Sequence, residues 1–153
     1  MKYGSISNRT ISRKLIALFF IFALFMNAHA QVSSIVGEWK TVDDKTNETH
    51  SIVRIYKGTD GLYYGKIVKM FKYPDAVCTA CEGKDKGRPL VGMIIIRGMR
   101  DVNGELKEGY VLDPESGKKY YGTISYDSKT SKLKLRGSLD KRGVFGRSQY
   151  WIK

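Results

Sequence analysis

"HSIVRIYKGTDGLYYGKIVKM", residues 50–70, holds two β-rich runs on either side of a turn segment. In the first run Val53 and Ile55 alternate with Arg54 and Tyr56. A period of two is that of a strand with one face buried and the other wet. "GTDG" supplies the Gly and Asp that a reverse turn needs, and "LYYGKIVKM" returns as a second strand. The stretch therefore predicts a hairpin, and one-sided burial belongs to antiparallel sheets.

The same pattern repeats outward along the chain. "GEWKTV" (37–42) precedes the polar "DDKTNET", and "VGMIIIRGM" (91–99) precedes "RDVNG". "ELKEGYVLD" (105–113) leads to "PESGK", "KYYGTISYD" (119–127) to "SKTSK", "KLKLRGSLD" (132–140) to "KRGVFG", and "RSQYWIK" (147–153) follows. With the opening pair that makes eight strands, mostly with connections of hairpin length. No sustained helical period, internal repeat or Pro/Ser-rich linker interrupts them. Leu133, Leu135 and Leu139 point one way, and Lys132, Lys134, Arg136 and Ser138 the other. "MIIIRGM" is apolar on both faces, so the fourth strand is expected to be covered outside as well. Eight sequential antiparallel strands predict an all-β fold, a single closed up-and-down eight-stranded barrel, because closure removes exposed edges. A two-sheet sandwich is the alternative.

Residues 1–30 carry Lys2, Arg9, Arg13 and Lys14 and no acidic residue. "LIALFFIFALF" (15–25) follows, then "MNAHA" with Ala28 and Ala30. A basic region, a short apolar core and an A-x-A end predict a cleavable secretory signal over 1–30. The run is short of the roughly 20 residues that span a bilayer, so an uncleaved anchor is the weaker reading, and the mature chain is not expected to span a membrane. The mature chain, 31–153, is read as one domain, exported to the periplasm or outside a bacterium. It keeps 23 Lys and Arg against 15 Asp and Glu, a formal charge of +8. Export argues against nucleic acid as the partner. Anionic lipid or an acidic glycan are the electrostatic alternatives to a plain basic surface.

Cys78 and Cys81 are the only cysteines, two residues apart in the longest loop. In an oxidising compartment a structural disulfide is the default. A redox pair would be expected at a helix N-terminus, and no helix follows here. A zinc site needs more ligands than these thiols and His50 supply. Asp43 and Asp44 beside Lys45 read as a polar turn rather than an acid–base pair. Asp113-Pro114-Glu115-Ser116-Gly117-Lys118 also reads as a turn. There is no G-x-S-x-G, phosphate loop or dinucleotide fingerprint, so no catalytic residue, metal or cofactor is expected. The mature chain has nine Tyr but only two Phe (Phe71, Phe145). Its tyrosines are expected mainly as cross-strand pairs on outer faces, with a tyrosine-lined cavity as the alternative.

The ordered set "GEWKTVDD", "SIVRIY", "LYYGKIVK", "DAVCTACEG", "RPLVGM", "VLDPESGKKY", "LRG" and "GRSQYW" resembles an exported bacterial family named domain of unknown function 2147. The family usually has Gly after "DDKT", where Asn47 stands here; Asn also tolerates a left-handed turn position. The resemblance implies a lipocalin-like barrel and no established activity. In such barrels a G-x-W opens the first strand, as Gly37-Glu38-Trp39 does, and a basic residue of the last strand covers the tryptophan. By that likeness Trp39 and Arg147 form the structural pair closing one end. Two functions are then in view. The first is an exported, non-enzymatic barrel holding a small amphipathic or lipid-like ligand. The second is an envelope protein acting through its surface on a membrane, glycan or protein. Thiol–disulfide exchange at Cys78 and Cys81 is third.

Overall fold

Runs of alternating apolar residues separated by Gly, Asn and Asp turns can bury their faces only against one another, and they do so in one continuous sheet. The structure, a computed structural model, describes residues 32–43 and 46–153. The expected signal segment, and Asp44 and Lys45 of the candidate carboxylate turn, lie outside the described residues. The strands are β1 (Gly37–Val42), β2 (Thr49–Lys57), β3 (Tyr63–Met70), β4 (Ile94–Val102), β5 (Glu105–Leu112), β6 (Lys119–Asp127), β7 (Lys132–Ser138) and β8 (Gly146–Trp151). Each pairs antiparallel with the next. β8 returns to β1 through a single bridge, Lys40 N–H to Ile152 O at 2.7 Å and Ile152 N–H to Lys40 O at 3.1 Å. The result is a nearly closed up-and-down barrel, not a sandwich.

The opening hairpin is as read: Val53 and Ile55 are buried, Arg54 is exposed, and the two strands pair through Tyr56 and Tyr64. β4 is displaced from its expected position. Val91 and Gly92 are held in a turn, with Gly92 N–H on Ile67 O, so the strand begins at Ile94. It then runs on to Val102, because Asn103 and Gly104, both at positive φ, form the two-residue turn of a tight hairpin. A register irregularity opposite Gly65 and Lys66 leaves both Ile95 and Ile96 buried. That explains the apolar run on both faces. Deeper in the barrel, Met99 packs where Gly109 and Gly122 lack side chains; a Cβ at Gly109 would stand 2.6 Å from Met99 Sδ.

One end of the barrel is shut. Residues 32–35 make a helical turn with Val32 and Ile35 buried. Trp39 is fully buried, donates its indole N–H to Ile35 O at 2.7 Å, and packs against Tyr126. The cation over its ring is Lys153, with Nζ 4.2 Å from the centroid. This corrects the Trp39–Arg147 pairing expected from the lipocalin likeness. The closing bridge sets Lys40 against Ile152, which brings Lys153 to the level of Trp39. Arg147 lies opposite Gly137 on β7, six residues and about 20 Å of strand away.

Candidate functional site

The four connections at the other end are 43–48, 71–93, 113–118 and 139–145. They surround the mouth of an interior cavity of about 670 Å³. Its wall is largely apolar: Ile67, Ile95, Val111, Leu135 and Trp151 line it, beside the polar Thr41, Ser51 and Gln149. Inward residues of β3, β4, β5, β7 and β8 thus supply one surface. Leu139 belongs to this lining. It faces the side of Leu133 and Leu135 as expected, but it stands at the rim with Phe145, and the two are 70% and 73% exposed. Ser138 faces outward yet is buried, donating to Asp140 O at 2.8 Å.

Polar groups gather at the mouth. Asp43, His50, Asp113, Glu115 and Arg147 line it. The 113–118 segment is the turn that was expected. Asp113 Oδ1 accepts from Glu115 N at 3.0 Å, Oδ2 accepts from Ser116 Oγ at 2.6 Å, and Gly117 sits at positive φ. Asn47 likewise occupies a left-handed position, φ 57°. Asp43 Oδ1 accepts from Thr46 N at 2.7 Å. The turn residues were legible in the sequence, but their place on a cavity rim was not. Among the described residues, no group of three or more His, Cys, Asp or Glu is arranged to hold a metal.

The long 71–93 connection braces this rim. Cys78 and Cys81 are joined by a disulfide and are 1% and 2% exposed. Bonds from Cys78 N to Arg88 O and from Leu90 N to Ala76 O fold the loop into its own small hairpin, which places Leu90 on the cavity. Cys78 Sγ lies 3.3 Å from Pro114 O; a disulfide sulfur has no proton, so this is a packing contact. A Cβ at Gly117 would run into the Ala80 carbonyl, so the two rim loops are packed backbone to backbone. A second tie went unseen in the sequence. Asp85, 4% exposed, pairs with Arg97 of β4 at 2.9 Å. The Arg97 guanidinium holds the Asp85 carboxyl below its ordinary range despite burial.

Of the tyrosines, Tyr120 lines the cavity. Others pair across strands on the outer surface: Tyr56 with Tyr64, ring centroids 6.0 Å apart, and Tyr110 opposite Tyr121. Lys119 stands over Tyr110 and Lys141 over Tyr121.

Residues 37–153 match the family described as "Uncharacterized protein conserved in bacteria (DUF2147)". The chain belongs to that family. Among solved structures it is similar to protein HP1028 from the human pathogen Helicobacter pylori, described as belonging to the lipocalin family. The TM-score is 0.66 at 20% identity, over 77% of this chain and 81% of that one. At that identity the likeness carries the fold alone. A comparison with curated proteins gives no match.

Proposed function

We propose that this is an exported, non-enzymatic binding module whose barrel interior takes one small amphipathic molecule. The observation that carries the reading is the cavity: about 670 Å³, within the usual range of ligand sites, largely apolar along its wall and with both apolar and charged groups at its mouth. Eight strands make a barrel just wide enough for one small ligand. Export rests on the three-part N-terminus and on the buried disulfide, which fits an oxidising compartment.

Titration with the neutral apolar fluorophore N-phenyl-1-naphthylamine tests the reading. One saturable site is expected. Leu135→Trp, which fills the cavity from the β7 wall, is expected to weaken it at least tenfold while circular dichroism stays that of a folded barrel. Equal binding by that folded variant would sink the reading.

The surface reading is favoured by one observation, the outer Tyr110–Tyr121 pair with Lys119 and Lys141 over the rings. This cationic, half-exposed patch suits an anionic lipid or glycan. Sedimentation with phosphatidylglycerol vesicles, compared with Lys119→Glu/Lys141→Glu, tests it. Thiol exchange is disfavoured, because both sulfurs are closed to an attacking thiolate.

A further inference from the structure

The chain is basic, yet the cavity mouth is not. Among the described lining residues, Asp43, Asp113 and Glu115 carry negative charge and Arg147 alone carries positive charge, with His50 counted as neutral. The lining thus has a formal charge of −2 in a chain whose whole formal charge is +12. The acidic groups come from two rim loops, with Asp43 on the β1–β2 side and Asp113 and Glu115 between β5 and β6. A head group at the mouth therefore meets more carboxylate than cationic side chains among the described lining residues.

We propose that the cavity selects amphiphiles with a cationic head group, an ammonium or similar cation on an apolar tail, and disfavours fatty carboxylates. The inference rests on the cavity-binding reading and adds the charge of its occupant. The tail replaces contact with water by contact with Ile67, Val111 and Leu135. The head sits beside the rim carboxylates at a solvent-accessible mouth, where their attraction is screened by water and salt but keeps its sign. A carboxylate head would meet repulsion from Glu115 and Asp43, offset only in part by Arg147.

The test uses three ten-carbon probes that differ only in the head: decylammonium, 1-decanol and decanoate. Each displaces N-phenyl-1-naphthylamine from the folded full-length mature chain at pH 7, below its aggregation limit. Decylammonium is expected to bind at least tenfold more tightly than decanoate, with 1-decanol between. The spread should narrow as salt rises, since the mouth is solvent-accessible. Glu115→Gln, an exposed turn position, is expected to reduce the decylammonium–decanoate spread at least threefold. Asp43→Asn provides a second check at the opposite rim loop. Decanoate binding as tightly as decylammonium, or a spread insensitive to both substitutions, would overturn the inference and leave cavity binding standing. Failure of all three probes to displace a bound fluorophore would overturn the inference alone, whereas absence of any saturable fluorophore binding would overturn both.

Discussion

Trp39 has its ring, its N–H and its cation each satisfied by a different element: Tyr126 of β6, Ile35 of the N-terminal turn, and Lys153 beyond β8. Trp39→Ala should lower unfolding free energy by about 3–5 kcal/mol, as for large core truncations. Lys153→Ala should cost about 0.5–1 kcal/mol, the worth of an exposed cation over an indole. Denaturant midpoints check both. Trp39 itself was legible through the family resemblance, which implies a G-x-W at the opening of the first strand. Its cation was not. The partner depends on how β8 slides past β1, strands at opposite ends of the chain whose stagger leaves no local trace. Asp85 is a similar case, since nothing in "EGKDKG" marks it as buried. Asp85→Asn would strand the Arg97 charge under the loop and should cost about 3 kcal/mol. Its native pKa lies below the ordinary 3.8, so its contribution is present above that value and is lost as pH falls through the native one. Wild type should therefore lose stability in acid more steeply than Asp85→Asn, which urea melts at pH 7 and pH 3 would show.

The 71–93 connection links the cysteines to the cavity. The Cys78–Cys81 bond, the Asp85–Arg97 pair and the contact of Cys78 with Pro114 tie together the loop that carries Leu90 and the turn that carries Asp113 and Glu115. Cys78→Ser/Cys81→Ser should still fold, losing at most about 2 kcal/mol for so short a closed loop. Amide exchange should quicken across 71–93 and 113–118 and stay slow in β6 and β7, and fluorophore binding should weaken severalfold. Unchanged exchange in 113–118 would show that the two loops are not coupled. At this level the hairpins were readable, because strand periodicity and turn residues are local signals. β4 shows where such signals stop. Its run begins at Val91 by composition, but the bonds of Gly92 and Met93 to Ile67 turn that piece away from the ladder, and only the fold determines them.

The two ends of the barrel differ: an indole, a helical turn and a lysine shut one end, and loops frame an open, largely apolar cavity at the other. Eight alternating strands, most of them joined by short turns, were enough to read the up-and-down order of a nearly closed barrel. The chamber was not readable, because its volume is what remains after all inward side chains are placed. Nor was the acidic rim, which gathers residues more than 60 positions apart in a chain whose composition is basic. Native mass spectrometry of the protein, purified without detergent from its native host, bears on the proposed role without a choice of probe. Wild type is expected to carry one small-molecule adduct per chain, released on denaturation and absent from folded Leu135→Trp. A bare wild-type chain, or an adduct kept equally by the filled variant, would contradict interior binding.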